Sequence, residues 1–492
     1  MRKTKIICTI GPASRDEATM EKLLKAGMNV ARLNFSHGSH QEHRENIERF
    51  RRVRDSLGLP AAVLLDTKGP EIRIRSFQGG KVLLKDGEYF TITTRDVEGT
   101  EKIVSVTYEA MPREVSKGKK VLINDGKVML EVIDTTDTDV NCKVIHGGVL
   151  SDNKGVNLPN VNLGMEFMSE KDKSDLLFGI ENDVDYVAAS FVRTGDDVRN
   201  MREFLCDNGG EQIRIIAKIE STQGVENFEE ILSLADGIMI ARGDMGVELA
   251  FEKLPGIQKK FIRRCVQSGK TVITATQMLE SMISSPVPTR AETNDVANAV
   301  FDGTSAVMLS GETAAGQYPV EAVTAMAKIA EQAEDDKPRI ANKDTVWHEM
   351  DSDDLTNAVG HAACTLARDI DAAAIMAVTK SGYTARRMAK FRPDITIIGA
   401  TPYLKVYHQL ALTWGVRPLR AEQRGEVEEL FSHCISKAIR AGVLNDEDRV
   451  VLSAGLPLNV SGNTNIIRVE TASLTTTSAP AESHGGRAVR RS

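Results

Sequence analysis

The sequence predicts an α/β protein: a closed (β/α)8 barrel, interrupted by an inserted all-β domain and followed by an open α/β sheet domain. Eight short apolar runs, each followed by a helix-like stretch, predict the barrel within the first 343 residues. The runs are near-continuous in Val, Ile, Leu and Ala, which is typical of parallel strands buried on both faces. Eight such strand–helix units favour closure into a TIM barrel. The runs are KIICTI, NVARLNFS, AVLLDTK, DYVAASF, IRIIAKIE, GIMIARGD, TVITATQM and SAVMLSGE.

Helix-start patterns lie between these strands. A Ser or Thr followed three residues later by an acid fits a capping box, in which the two residues satisfy each other's free backbone N–H groups. Three such patterns predict helix starts. They are Ser14-x-x-Glu17, Ser169-x-x-Asp172 and Thr289-x-x-Glu292.

The strand spacing breaks once, after the third run. Residues 70–168 are rich in Gly, Thr, Val, Lys and Asp and contain strand-like pieces such as KVLLKDGEYFTITT. The Asp-Gly pairs at 86–87 and 125–126 predict hairpin turns. We therefore expect 70–168 to form an inserted β-rich lid domain. Residues 1–69 and 169–343 then make up the barrel, at a length close to the ~250 residues typical of this fold.

A new alternation of helices and strands begins near residue 344. The helix-like DLTNAVGHAACTLARDI is followed by the strand-like AAIMAVT, and this pattern continues. It predicts an open α/β sheet domain over 344–474. Residues 475–492 are of low complexity, which predicts a disordered tail.

Composition places the chain among ordinary globular proteins, with 41% hydrophobic and 27% charged residues. The net charge of −7 argues against nucleic acid or an anionic membrane as the main partner. No apolar run approaches the ~18 residues of a membrane span. The apolar stretch near the N-terminus is too short and too β-branched for a signal peptide. The six cysteines are scattered without a CxxC motif, which favours reduced thiols and a cytoplasmic protein.

The carboxyl ends of the predicted strands are unusually polar. Parallel barrel strands point the same way, so these ends meet at one rim, where barrel active sites lie. Two runs end in both a base and an acid: Lys218 with Glu220, and Arg242 with Asp244. Matched charges around one rim predict a site for cations and a polyanion. The polar strand-end residues are Arg32, Asn34, Ser36, Asp66, Thr67, Lys68, Lys218, Glu220, Arg242, Asp244, Thr276, Gln277, Ser310 and Glu312.

Glu220 and Asp244 are suited to share a hard metal ion. Mg²⁺ takes one or two protein carboxylates and completes its shell with water and substrate oxygens. The alternative interpretation is a rim of ion pairs, in which Lys218 neutralises Glu220 and Arg242 neutralises Asp244. Glycines flank Asp244 on both sides, so backbone N–H groups at this turn could hold a carboxylate or a phosphate.

Two other patterns predict no site. Residues 268–271, SGKT, look like the end of a P-loop, but Arg264 stands where the motif requires a glycine. They predict a helix-to-strand turn. His37, His40 and His43 have a spacing of three, which predicts an exposed helix start rather than a metal cluster.

Nine stretches of the chain closely resemble the pyruvate kinase family, across nearly the whole barrel and part of the C-terminal domain. The resemblance is to the bacterial or archaeal type, without an extra N-terminal helical domain, and it implies the architecture that the periodicity predicts. The stretches are TKIICTIGPAS, MNVARLNFSHG, LLDTKGPEIR, KGVNLP, AKIESTQGVENFEEIL, GIMIARGDMGVEL, ATQMLESMI, PTRAETNDVANAVFDGTSAVMLSGETAAGQYPVEAV and TKSGYTARRMAKFRP.

The resemblance implies transfer of a phosphoryl group from phosphoenolpyruvate to ADP, giving pyruvate and ATP, the last step of glycolysis. Lys218 would stabilise the transferring group, and Arg32 would contact the substrate phosphate. Gly243, Asp244 and Thr276 would hold the substrate carboxylate. Thr276 could also relay a proton to the enolate, but its hydroxyl has no suitable pKa for a terminal acid, so we expect a water chain.

The family also implies a nucleotide site and two kinds of cation. Arg73 and Lys154 would bind nucleotide phosphates, and closure of the lid would exclude water. Glu220 with Asp244 would bind Mg²⁺ or Mn²⁺. The implied K⁺ ligands are Asn34, Ser36, Asp66 and Thr67.

Dependence on K⁺ is predicted from one residue. A glutamate at the position of Glu71 accompanies K⁺ dependence in the family, and a lysine there accompanies independence. The alternative interpretation of Glu71 is a surface carboxylate that pairs with Arg73.

The resemblance further implies a homotetramer and an effector site in the C-terminal domain. The loop between a strand and a helix at 379–384 is a plausible phosphate site. Family members that respond to fructose 1,6-bisphosphate tend to carry Arg where this chain has Tyr383, and they have Trp and Arg in a late loop that corresponds to 453–464, which lacks both. We therefore expect a monophosphate effector, AMP or a sugar phosphate, or else a vestigial site. The candidate residues are Thr379, Lys380, Ser381, Gly382 and Thr384.

Two other functions remain open at this point. A metal-dependent lyase acting on phosphoenolpyruvate or a 2-oxo acid could use the same acid pair, but it would not need Arg73, Lys154 or a lid sized for a nucleotide. A catalytically inactive metabolite sensor is the second, and the retention of Lys218 and Thr276 speaks against it.

Overall fold

The computed structural model describes residues 2–340, 355–457 and 464–474, with backbone alone at 337–340. The chain divides into two compact units, one comprising 1–349 with 411–414 and the other 350–410 with 415–492. The predicted boundary at 344 and the predicted tail at 475–492 lie outside the described residues.

The first unit contains the predicted barrel strands and the inserted segment between the third and fourth of them. In chain order its strands are β1 (Lys5–Thr9), β2 (Val30–Asn34), β3 (Ala62–Asp66), β4 (Ile72–Arg73), β5 (Lys81–Leu84), β6 (Tyr89–Thr93), β7 (Ile103–Ser105), β8 (Lys120–Ile123), β9 (Val128–Thr135), β10 (Asp139–His146), β11 (Gly148–Ser151), β12 (Gly155–Asn157), β13 (Tyr186–Ala189), β14 (Arg214–Ile219), β15 (Gly237–Ala241), β16 (Thr271–Ala275) and β17 (Ala306–Leu309).

Helices follow the barrel strands, and one short helix lies in the inserted segment. They are α1 (Glu17–Ala26), α2 (His40–Ser56), α3 (Met111–Glu114), α4 (Glu170–Glu181), α5 (Gly195–Asp207), α6 (Thr222–Glu226), α7 (Phe228–Leu234), α8 (Arg242–Glu248), α9 (Leu254–Gln267), α10 (Arg290–Asp302), α11 (Gly311–Ala314) and α12 (Pro319–Ile340), with 3-10 turns at Phe251–Lys253 and Glu280–Ile283.

The eight predicted strands close into a parallel barrel in the order β1-β17-β16-β15-β14-β13-β3-β2. This confirms the predicted barrel. Alternate strand residues such as Ile7, Leu64 and Met239 fill the interior, while others such as Cys8, Leu65 and Ile240 pack against the helices. Because both faces of every strand are covered, the strands must be apolar throughout, and only their ends are free to carry polar side chains.

Two of the three predicted capping boxes are confirmed, at Ser169 before α4 and at Thr289 before α10. The prediction at Ser14 is wrong. Asp16 caps α1 instead, by accepting a hydrogen bond from the Thr19 N–H. The Ser14 hydroxyl is buried and accepts from the Gly11 N–H at 3.1 Å, so it stabilises the turn after β1.

The inserted segment is β-rich and has its own apolar core. Its strands form a seven-stranded sheet, in the order β4-β12-β8-β9-β10-β6-β7, and a two-stranded sheet of β11 with β5. The predicted hairpin at Asp125-Gly126 is confirmed, because β8 pairs antiparallel with β9 across it. The hairpin predicted at Asp86-Gly87 is wrong. The chain turns there, but β5 pairs with β11 and β6 pairs with β10, so the turn connects two sheets.

The second unit contains the predicted open sheet, which is confirmed. Its five strands have the order β20-β19-β18-β21-β22, parallel except for the edge strand β22. Its elements are α13 (Leu355–Asp369), β18 (Ala374–Val378), α14 (Tyr383–Lys390), β19 (Thr396–Thr401), α15 (Leu404–Gln409), β20 (Val416–Arg420), α16 (Val427–Arg440), β21 (Arg449–Gly455) and β22 (Thr464–Thr471). A 3-10 turn at Leu410–Leu412 begins at the last residue before the 411–414 segment of the first unit.

Two predictions from the composition can be compared with the described residues. All six cysteines are free thiols, and five of them are buried. None of the described helices is both long enough and apolar enough to cross a membrane.

Candidate active site

Three charged side chains from three strands meet at the carboxyl rim of the barrel. Arg32 Nε lies 2.6 Å from Asp66 Oδ2, and Lys218 Nζ lies 3.0 Å from Asp66 Oδ1. Asp66 is 1% exposed. Burial alone would raise the pKa of this carboxyl group, but the charges of Arg32 and Lys218 outweigh burial and lower it. Asp66 therefore stays ionised and fixes both cations.

Lys218 also contacts Glu220 Oε1, at 3.0 Å, and the hydroxyl of Ser190, at 2.7 Å. Burial opposes its charged form, but Asp66 and Glu220 outweigh burial and raise the pKa of the ammonium group. The rim therefore holds a buried, permanently charged lysine. The Lys218–Glu220 half of the ion-pair alternative is present in the structure.

Glu220 and Asp244 are neighbours, and nearby cations neutralise their negative charges only in part. Burial, opposed by Lys218 and reinforced by the neighbouring carboxyl of Asp244, raises the pKa of Glu220 to about 7. Burial also raises the pKa of Asp244, against the opposing effect of the Lys218 charge. The Phe191 N–H donates to Glu220 Oε2 at 2.6 Å and fixes its direction.

This acid pair fits a divalent cation, because an added positive charge would relieve the mutual repulsion of the two buried carboxylates. Among the described residues no group of three His, Cys, Asp or Glu side chains could hold a metal ion. Two carboxylates suit Mg²⁺, which completes its shell with water and substrate oxygens.

The other half of the ion-pair alternative is wrong. Arg242 begins α8 and its Nη1 lies 2.8 Å from Asp295 Oδ1 on α10, so it pairs with Asp295 rather than with Asp244. Asp244 is thereby left beside Glu220. Sequence spacing could not reveal this, because the true partner lies on α10, which follows the next strand along the chain.

Thr276 lies directly after β16 and faces the first turn of α8. Its hydroxyl accepts from the Gly243 N–H at 2.7 Å and donates to the Ala275 carbonyl at 2.6 Å. The predicted carboxylate-binding residues Gly243, Asp244 and Thr276 are thus brought together.

Arg73 and Lys154 line one cavity together with Asp244 and Glu248, so the predicted nucleotide ligands of the inserted segment share a cavity with one carboxyl group of the acid pair. Arg73 Nη2 lies 2.7 Å from Glu71. The alternative interpretation of Glu71, a carboxylate paired with Arg73, is therefore present in the structure.

The four predicted K⁺ ligands lie at the ends of neighbouring strands. Asn34 and Asp66 are direct partners across β2 and β3. Asn34 Oδ1 accepts from the Ser36 N–H at 3.1 Å, and the Thr67 hydroxyl accepts from the Ser190 N–H at 3.1 Å. These side-chain oxygens are the type of ligand that a hard monovalent cation needs.

The prediction of an exposed helix start for the three nearby histidines is wrong in part. His40 does begin α2, but His43 is buried and stacks on Phe35, with ring centroids 4.0 Å apart. His43 also contacts the His37 carbonyl at 2.9 Å, so it packs against the loop that carries Asn34 and Ser36. The helix-to-strand turn predicted at 268–271 is confirmed between α9 and β16.

The candidate effector loop lies between β18 and α14 in the second unit. Gly382 has a left-handed backbone with φ 78°, and its N–H donates to the Thr379 hydroxyl at 3.0 Å. A cavity with apolar walls that include Leu430 and Cys434 adjoins the loop. Residues 458–463 of the late loop lie outside the described residues. Four of the candidate residues line this cavity: Thr379, Lys380, Ser381 and Thr384.

Sequence reasoning missed three residues of the rim. Ser190 contacts Lys218, the hydroxyl of Thr9 accepts from Arg32 Nη1 at 2.9 Å, and Glu248 lines the cavity beside the acid pair. Thr9 ends the first barrel strand, and Ser190 directly follows the fourth. The rule that polar side chains occur at the ends of buried strands could therefore have identified both. Glu248 lies a full helix beyond its strand, and no comparable rule points to it.

Comparisons with known proteins show the family of the chain. The model of the pyruvate kinase barrel domain matches residues 1–323, and that of the pyruvate kinase alpha/beta domain matches 357–470. The pyruvate kinase of Clostridium acetobutylicum is 46% identical over 474 residues, which cover 96% of this chain and 99% of that protein. That of Staphylococcus haemolyticus is 47% identical, over 95% of this chain and 80% of that protein.

A solved structure gives the same result. The crystal structure of a pyruvate kinase from Cryptosporidium parvum matches with a TM-score of 0.88 and 36% identity, over 96% of both chains. With matching barrel and alpha/beta domains and nearly full-length relatives, the chain belongs to the pyruvate kinase family of phosphotransferases.

Proposed function

We propose that this chain transfers a phosphoryl group from phosphoenolpyruvate to ADP, with Mg²⁺ or Mn²⁺ and K⁺, as the last step of glycolysis in the cytoplasm. The observation that carries the proposal is Lys218, buried between Asp66 and Glu220 at 3.0 Å from each. A fixed cation beside an acid pair is what transfer of a polyanionic group requires.

The chain's own residues position the substrate and balance its charge. Gly243 and Thr276 bind the substrate carboxylate, and Arg32 binds its phosphate. The bond between the enol oxygen and phosphorus breaks, and a bond from phosphorus to a β-phosphate oxygen of ADP forms. Lys218 stabilises the charge on the phosphoryl oxygens in transit. The enolate then takes a proton through water, with Thr276 as a relay, and becomes pyruvate.

Glu220 and Asp244 would hold the divalent cation, which supplies Lewis-acid charge to the phosphoryl oxygens when bound. Their raised pKa values support this assignment, because a cation favours the ionised form of both groups. The K⁺ ligands proposed are Asn34, Ser36, Asp66 and Thr67.

Arg73 and Lys154 bind the phosphates of ADP in the cavity between the inserted segment and the barrel rim. A homotetramer, and regulation by a monophosphate, AMP or a sugar phosphate, at the loop of Thr379–Thr384 are further parts of the proposal. The glycine turn and the apolar-walled cavity beside it support the effector site.

The test is pyruvate formation from phosphoenolpyruvate and ADP with Mg²⁺, with and without K⁺. We expect turnover that requires ADP and K⁺ and that falls about a thousandfold in Lys218→Met, because a buried electrostatic group at the reacting centre is lost. Turnover without K⁺ would contradict the cation assignment alone. Pyruvate formed without ADP would favour a lyase, and no turnover at all would favour a sensor.

A further inference from the structure

The turn that carries Thr276 has a strained backbone. Thr276 and the next residue, Gln277, both lie in the left-handed region, with φ 68° and 53°. For a β-branched residue such as Thr276 this conformation is a genuine outlier and is strained. It persists only where the surroundings fix it. Some feature of the structure must therefore hold this turn in place.

Arg242 makes the contacts that can fix the turn. Its Nη2 donates to the Thr276 carbonyl at 2.8 Å and reaches the Gln277 carbonyl at 3.5 Å, while its Nε donates to the Ala275 carbonyl at 3.3 Å. One guanidinium group thus spans three successive carbonyls of the strained turn.

Arg242 is itself held from the opposite side. Its Nη1 lies 2.8 Å from Asp295 Oδ1 and 3.4 Å from Gln258 Oε1, and its side chain is 15% exposed. Because Asp295 lies on α10 and Gln258 on α9, two helices fix the plane of the guanidinium group.

Arg242 directly precedes Gly243, whose N–H donates to the Thr276 hydroxyl. The same residue therefore joins the turn after β16 to the first turn of α8, the two segments that carry the candidate carboxylate ligands. The far end of the turn has a separate anchor, because the Leu279 N–H donates to Glu312 at 3.1 Å. Loss of Arg242 would therefore free the backbone carbonyls of the turn but leave this N–H bound.

We propose that Arg242 is a positioning residue that holds the strained Thr276–Gln277 turn, and that Asp295 orients it for this role. Arg242 does not touch the substrate; it sets the direction of the Thr276 hydroxyl and the Gly243 N–H. The inference rests on the proposed function for its kinetic consequence, but the strain and the contacts are independent of it. A lysine could not replace Arg242, because a single ammonium nitrogen cannot span three carbonyls in a fixed plane.

The test compares Arg242→Lys with wild type and with a matched control, Arg264→Lys. Arg264 is also an arginine paired with an acid on another helix, Glu229, but it lies on the outside of α9. For Arg242→Lys we expect kcat to fall about a hundredfold, as for a misplacement of order 1 Å at the reacting centre, with a raised KM for phosphoenolpyruvate. The KM for ADP and the content of folded protein should be unchanged, as should all constants of Arg264→Lys.

A second variant separates positioning from folding. Arg242→Ala should recover part of its lost kcat when guanidinium ion is added at millimolar concentration, because the ion can bind between Asp295 and the carbonyls. The absence of rescue, or a kcat of Arg242→Lys within twofold of wild type, would overturn the inference.

A measurement that needs no turnover separates this inference from the proposed function. In hydrogen exchange, peptides that cover 243 and 275–279 should exchange faster in Arg242→Lys than in wild type or Arg264→Lys. Unchanged exchange there would overturn the inference even in an active enzyme. Faster exchange in a protein that forms no pyruvate would support the positioning role while the proposed function failed.

Discussion

An acid pair at the carboxyl rim of the barrel and one acid at the amino rim are compensated in opposite ways. At the carboxyl rim, Glu220 and Asp244 share one lysine neighbour, and burial raises the pKa of both. At the amino rim, Asp236 directly precedes β15 and contacts both Arg202 and Arg214, the latter at 2.9 Å. Its carboxylate also accepts from the Ile215 N–H at 2.9 Å. Burial opposes its charge, but these partners outweigh burial and lower the pKa.

The difference distinguishes an acid that stabilises the fold from an acid pair that the metal-free fold disfavours. An acid with a lowered pKa stabilises the folded state at neutral pH, whereas an acid with a raised pKa reduces the stability of the metal-free protein. The barrel therefore tolerates an unfavourable acid pair at the rim where we propose a divalent cation, and it neutralises Asp236 at the other rim. Barrel enzymes in general divide function and stability between the two faces in this way.

The largest effect is expected at the carboxyl rim, for Glu220→Gln. Removal of one of two carboxylate ligands should weaken the binding of Mg²⁺ about a hundredfold or more, and turnover at saturating substrate should fall accordingly. Without metal, the stability of the variant should fall by only about 1 kcal/mol, because Lys218 keeps Asp66 as a partner, glutamine keeps an oxygen for the Phe191 N–H, and a charge that burial disfavours is removed.

Thermal unfolding with and without Mg²⁺ checks this expectation. Wild type should unfold at a higher temperature as Mg²⁺ is added, since a ligand that binds only the folded state stabilises it. The variant should show little such shift. A metal-free variant destabilised by several kcal/mol would mean that the charge of Glu220 serves chiefly to balance Lys218, and the contrast between the acid pair and Asp236 would fail.

The barrel could be predicted from the sequence because strands covered on both faces must be apolar along their whole length. The same physics predicts the active-site residues, since polar side chains such as Asp66 and Lys218 are tolerated only near the ends of such strands. Thr9 and Ser190 obey this rule and could have been found with it.

What could not be predicted depends on contacts that are distant in sequence. Spacing suggested Asp244 as the partner of Arg242, but the fold brings Asp295 to it from another helix. The Asp86-Gly87 turn has the residues of a hairpin, but the partner of β5 is set by the packing of a whole sheet. At α1, Ser14 and Asp16 were both suitable caps by residue type, and burial of Ser14 under the turn after β1 decided between them.

The next largest effect is expected at the amino rim, for Asp236→Asn. The change leaves Arg202 and Arg214 without their shared anion, so the free energy of unfolding should fall by about 2 kcal/mol, the scale of hydrogen bonds to charged groups at a partly buried site. Urea unfolding followed by circular dichroism measures the loss. The matched control is Glu229→Gln, which breaks an exposed pair with Arg264 and should cost little.

The kinetic constants of Asp236→Asn should equal those of wild type at a temperature where both are folded. A fall in kcat with unchanged stability would reverse the roles assigned to the two rims.

The smallest effect expected is the pH dependence of the stability difference between wild type and Asp236→Asn. The pKa of Asp236 in the folded protein lies below its ordinary value of 3.8, so its contribution to stability is fully present well above pH 3.8 and is lost as the pH falls through the folded value. The gap in urea midpoint between wild type and Asp236→Asn should therefore be constant from pH 7 to about pH 5 and narrow as the pH falls below 3.8. A gap that closed between pH 7 and 5 would place the stabilising charge on another group, because no carboxylate with a lowered pKa titrates in that range. A gap that widened on acidification would mean that the carboxylate is under-compensated as at the opposite rim, which would remove the contrast between them.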